Sequence, residues 1–198
     1  TPTATILINE VDADTEGSDL LEFVELYDGG IGNTSLDGFV VVMYNGSTDV
    51  SYGAYDLEGQ TTDANGYFVL GNVDVTNVSS ITFESNGLQN GADAVALYVG
   101  DATSFEVGTA ITTDNLVDAF VYDTNDNDDA ELLVLLNDGE VQINEDELGN
   151  KDEQSSQRFP NGSGGLRNTS NYVLALPTPG AANTSEDEEV NIVINEVD

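Results

Sequence analysis

The chain has 198 residues, with 38 acidic against three basic side chains, a net charge of −35, and neither His nor Cys. The missing residue types exclude Ser-His-Asp and Cys-His nucleophiles, His/Cys zinc sites and disulfides. The charge opposes binding to phosphate backbones or anionic lipid, which need Lys and Arg. No apolar run of about 18 residues is present to span a membrane. The absence of an initiating Met and of a signal peptide reads as a processed or excerpted protein.

Short apolar segments bounded by Gly, Asn or Asp follow one another along the chain, and their spacing predicts an all-β sandwich or barrel. Strands are expected at 4–11, 20–27, 38–44, 66–71, 80–84, 94–100, 116–123, 131–136 and 172–176. The run 38–44 (GFVVVMY) is continuously apolar, as in a strand covered on both faces. Leu dominates 131–136, which reads as a strand with one helical turn as the alternative. Tyr27, Tyr44, Tyr98 and Tyr122 fall in or beside strands and are assigned to packing.

Residues 178–184 (TPGAANT) read as a domain end, and 185–190 (SEDEEV) as an acidic linker. The chain thus divides into a sandwich over 1–184, the linker, and a segment at 191–198. ILINEVD at 6–12 recurs as IVINEVD at 192–198, differing only at Leu7 against Val193. Residues Ile192, Val193, Ile194, Asn195, Glu196 and Val197 are therefore assigned as an assembly strand. They form either the first strand of a following repeat or a strand donated to a neighbouring copy.

Two acidic loops have the oxygen-rich composition that calcium requires. The first is Asp12, Asp14, Glu16 and Asp19 around Gly17. It starts like a calcium loop but has Phe23 where a bidentate Glu would close an EF-hand. The second is Asp123, Asn125, Asp126, Asn127, Asp128 and Asp129, with Glu131 nearby. Calcium is the one cofactor expected, and the alternative is a solvated acidic loop. A third cluster (Asn144, Glu145, Asp146 and Glu147, with Asp152 and Glu153) is weakened by Lys151. Arg158, Glu10 and Glu25 are assigned to a structural ion pair, with ligand recognition as the alternative for Arg158, and with Glu10 and Glu25 either paired across two neighbouring strands or reaching outward. Paired carboxylates could serve a glycosidase, but Trp is absent and catalysis is not expected. Six N-x-Ser/Thr sequons begin at Asn33, Asn45, Asn77, Asn161, Asn168 and Asn183.

Taken in order, ILINEVD, EFVELYD with GNTSLDGFVVV, GYFVLGN, NGLQNGADAVALYVGD, LVDAFVYD, SSQRFPNGSGG and PTPGAAN resemble bacterial lamin-tail domains over about residues 4–183. The resemblance implies an immunoglobulin-like β-sandwich without catalytic residues, in a secreted or surface protein. An Arg before the last strand is usual in that pattern. The insertions at 123–131 and 137–154 are longer than in short members. The expected function is a structural module, extracellular or at the cell surface, repeated in tandem or end to end. Its expected partners are other copies of itself and divalent cations, with no nucleic acid and no membrane insertion. The alternatives are an accessory domain of a secreted nuclease or phosphatase, and a calcium-dependent adhesin stalk.

Overall fold

A computed structural model describes residues 5–185. It contains ten strands: β1 Leu7–Asp12, β2 Phe23–Tyr27, β3 Phe39–Asn45, β4 Val50–Asp56, β5 Tyr67–Gly71, β6 Asp93–Val99, β7 Leu116–Asp123, β8 Ile143–Asn144, β9 Ser155–Arg158 and β10 Tyr172–Ala175. They form two five-stranded sheets, in the orders β10-β9-β1-β2-β5 and β4-β3-β6-β7-β8. Every pairing is antiparallel except β7 with β8.

Alternation of side chains creates the core. Val24 and Leu26 of β2 and Phe68 and Leu70 of β5 meet Val41 and Met43 of β3, Val95 and Leu97 of β6, and Phe120 of β7. The expected all-β sandwich is therefore present. Strand β1 contributes Ile8 and Val11, an odd spacing that the irregularity between Ile8 and Glu10 allows. A bulge changes which face the next side chain meets.

The second sheet is covered on its other face as well. Val40, Val42, Tyr44, Ala94, Ala96, Tyr98, Ala119 and Val121 pack under Leu132, Leu136 and Phe105. This accounts for the unbroken apolar run of β3. Tyr44, Tyr98 and Tyr122 are buried in the two clusters, while Tyr27 packs in a tilted arrangement against Tyr67, with ring centroids 5.0 Å apart.

Residues 130–136 are helix α1 (Ala130–Leu136), not a strand. Asp129 accepts the amides of Glu131 and Leu132, which caps a helix start. Leu132 and Leu136, four residues apart, turn the same face to the sheet, whereas Val134 is exposed. Residues 80–84 do not form a strand either. Thr82 makes one isolated bridge to Gly71. Strands β4, β8 and β9 were not expected. Strand β9 is Ser-Ser-Gln-Arg, fully buried yet without an apolar residue.

Candidate functional site

The bulge in β1 leaves the Ile8 peptide free to bond out of the sheet. Ile8 N donates to Asp118 Oδ2 at 2.8 Å. Ile8 O accepts from Arg158 Nε and from the Tyr172 hydroxyl, both at 2.7 Å. Arg158 also donates to Ser163 O and Gly165 O, and its guanidinium lies 4.9 Å from the Tyr172 ring centroid. Its ionic partner is Asp118 of β7, at 3.1 Å, with both side chains wholly buried. The sequence reading grouped Arg158 with Glu10 and Glu25; the structure gives it Asp118, which reaches it from the opposite sheet. The signal was an acid inside an otherwise apolar strand, Leu-Val-Asp-Ala-Phe-Val-Tyr.

Glu10 and Glu25 are direct cross-strand partners of each other. Both are buried without a cation, and residues 177–184 close over them as a strap. Thr178 donates its amide and its hydroxyl to Glu10, each at 2.8 Å, and Ser155 Oγ adds a bond of 2.6 Å. Glu25 accepts from Gly180 N at 2.7 Å and Asn9 Nδ2 at 2.8 Å. Asn183 fastens the strap further through Arg158 O at 2.8 Å and Asn9 O at 3.2 Å. Burial raises the Glu10 carboxyl to about 7, against the lowering effect of these donors. Burial, and then the charge of Glu10, raises Glu25 well above the ordinary range.

The two acidic loops are largely engaged by their own surroundings. In the first, Asp14 pairs with Lys151, Asp19 accepts the Thr15 amide at 2.9 Å, and Glu16 is exposed. The Ala13 amide bonds Glu145 at 3.2 Å, so the third acidic cluster lies against the first loop. Asp12 is buried beside them and its Oδ1 has no hydrogen-bond partner. In the second loop, Asp123 accepts the amides of Asn125 and Asp126 and the side chain of Gln142. Asp129 caps α1, while Asn125, Asp126, Asn127 and Asp128 are exposed. Asp126, Asp128 and Asp129 line an open cleft of about 650 Å³ together with Asp93 and Asn45. Among the described residues, no group of three or more Asp or Glu is placed to hold a metal ion.

The sequons divide clearly. The amides of Asn45, Asn77, Asn161 and Asn168 donate to Gln89, Pro179 O, Tyr67 and Glu140. Asn183, within the strap, is buried, while Asn33 is exposed. The assembly strand, Ile192, Val193, Ile194, Asn195, Glu196 and Val197, lies outside the described residues. Among the described residues no helix is long and apolar enough to cross a membrane.

No protein-family model, curated protein or solved structure matches the chain.

Proposed function

We propose that the chain is a non-catalytic structural module of the lamin-tail, immunoglobulin-like type. It is used outside the cell and joined to further copies through the segment that repeats β1. One observation carries this reading. The motif Ile-Asn-Glu-Val-Asp of β1 recurs at 194–198, and in β1 every one of those residues is buried.

Three of the repeated residues, Asn9, Glu10 and Asp12, are polar and would be costly in a generic buried strand. Asn9 bridges Glu25 and the strap, and Glu10 accepts from Ser155 and Thr178. A strand copied only for apolar pairing would not need an Asn and a Glu at those places. Asn195 and Glu196 are suited to the same partners in another sandwich. The lack of His and Cys supports a role without nucleophilic chemistry. Divalent cations, calcium included, belong to the proposal as diffuse counter-ions of the acidic surface.

Electron microscopy of native material tests the reading. Fibres or arrays with an axial repeat of one module are expected, and deletion of 187–198 should abolish association measured by light scattering. Native protein that shows no repeating assembly, with the same mass before and after the deletion, would overturn it.

A further inference from the structure

A second cleft, of about 880 Å³, opens on the outer face of the first sheet, beside the strap. Its walls come from residues 15–21, 74–77, 152–153 and 177–181. The floor is apolar: Phe23 and Val75 belong to a small buried cluster with Val69. Leu20 and Leu21 stand on its wall, each 51% exposed. Glu16, Asp74, Asp152 and Glu153 add acid to the lining.

Two of its lining residues, Asp12 and Thr15, each carry a side-chain oxygen without a partner. Asp12 is 3% exposed and Thr15 is 6% exposed. Asp12 Oδ1 and Thr15 Oγ1 are both buried and accept or donate no hydrogen bond. A buried carboxylate oxygen left unbonded is costly, because desolvation is not repaid. Burial foremost, followed by the charges of Glu145, Glu10, Glu22 and Asp14, lifts the Asp12 carboxyl well above its ordinary range. The environment therefore lacks a positive charge, and the chain has none to spare. Lys151 is held by Asp14, Arg158 by Asp118, and Arg167 by the carbonyls of Leu135 and Leu136.

We propose that this cleft receives a segment of a partner protein carrying Lys or Arg between apolar residues, with the cation set against Asp12. Three observations select that occupant. No set of three carboxylates converges among the described residues, as a bare divalent ion would want. The floor is apolar, and Lys and Arg have apolar stems that lie along such surfaces while the charged end reaches an acid. The acidic lining, on a chain of net charge −35, steers a basic segment inward. Thr15 Oγ1 then becomes a second acceptor for the same donor group. The inference stands apart from the assembly reading, since it uses none of residues 186–198.

The test uses the whole chain and a labelled capped pentapeptide, acetyl-Leu-Val-Arg-Leu-Val-amide, with a twin in which uncharged citrulline replaces Arg. Fluorescence anisotropy at low salt should show binding of the Arg peptide, with the citrulline twin about tenfold weaker or worse. Asp12→Asn should remove about the same factor. Glu131→Gln, which deletes one exposed charge far from the cleft, should leave affinity unchanged. Asp12 Oδ1 has no hydrogen bond to lose, so Asp12→Asn should melt no lower than the parent chain. Should that variant fail to fold, Leu21→Ser at the exposed wall must weaken both peptides. The proposal is overturned by absence of binding, by equal affinity for the two peptides, or by equal effects of Asp12→Asn and Glu131→Gln. Calcium chloride displacing the peptide where sodium chloride of equal ionic strength does not would also overturn it, and would make the cleft a metal site.

Discussion

At the scale of single residues, the sandwich is fastened by buried charge. Arg158 holds Asp118, Ile8, Ser163 and Gly165 at once, so its removal leaves Asp118 buried without its cation, takes the Arg158 donors from the carbonyls of Ser163 and Gly165, and leaves Ile8 O to the Tyr172 hydroxyl. Arg158→Met is expected to cost roughly 3–5 kcal/mol in chemical denaturation, and Asp118→Leu combined with it should recover part of that loss. Glu10 and Glu25 behave in the opposite sense. Their folded-state pKa values lie above the ordinary 4.5, so the folded chain binds more protons than the unfolded one. The Glu10 contribution is full below about pH 4.5 and is lost as pH rises through about 7, and Glu25 acts in the same direction. Glu10→Gln should therefore flatten the fall in melting temperature between those pH values. At pH 8 it should raise stability by about 1–3 kcal/mol. A steeper fall in the variant would contradict the assignment. Arg158 could be singled out from the sequence because it is one of three cations in an acidic chain. Its partner could not, because Asp118 lies 40 residues away on the opposite sheet.

At the scale of elements, local pattern and tertiary cover compete. The alternation in β2, β5 and β7 and the solid apolar run of β3 were readable, since burial on one face or on two leaves a plain periodicity. Strand β9 was not readable as a strand. It is buried because Gln157, Ser155 and Arg158 bond the strap, Glu10 and the opposite sheet, not because it is apolar. Residues 131–136 were read as a strand, with one helical turn only as the alternative, because five of the seven residues of α1 are Leu or Val, which suit either state in a short run. The capping Asp129 decides the matter, together with Leu132 and Leu136 at helical spacing. Leu132→Ala should cost roughly 2–5 kcal/mol, as for a buried methyl cluster. Val134→Ala, at an exposed position, should change stability by less than about 0.5 kcal/mol. The reverse order in urea titrations would mean that 130–136 presents another face. The acidic loops were legible as acid-rich but not as self-bonded. Asp19, Asp123 and Asp129 accept nearby backbone amides, a local use of carboxylates that composition alone does not separate from metal binding.

At the scale of the whole molecule, a net charge of −35 on 198 residues opposes compaction. Sodium chloride should raise the melting temperature steadily as the exposed acids are screened. The buried Glu10–Glu25 pair responds little to salt, which separates its pH effect from that of the surface. Calcium adding more than sodium at equal ionic strength would place an ion at the acidic loops, and equal effects would leave screening alone. The central claim is that residues 192–198 carry the information of β1. It is tested most directly by continuing the chain after Asp198 with residues 13–185, so that the repeated segment stands where 6–12 stand in the first copy. Light scattering and calorimetry should then show one soluble chain with two folded sandwiches of closely similar melting temperature. A second copy that stays unfolded beside an intact first one would contradict the claim.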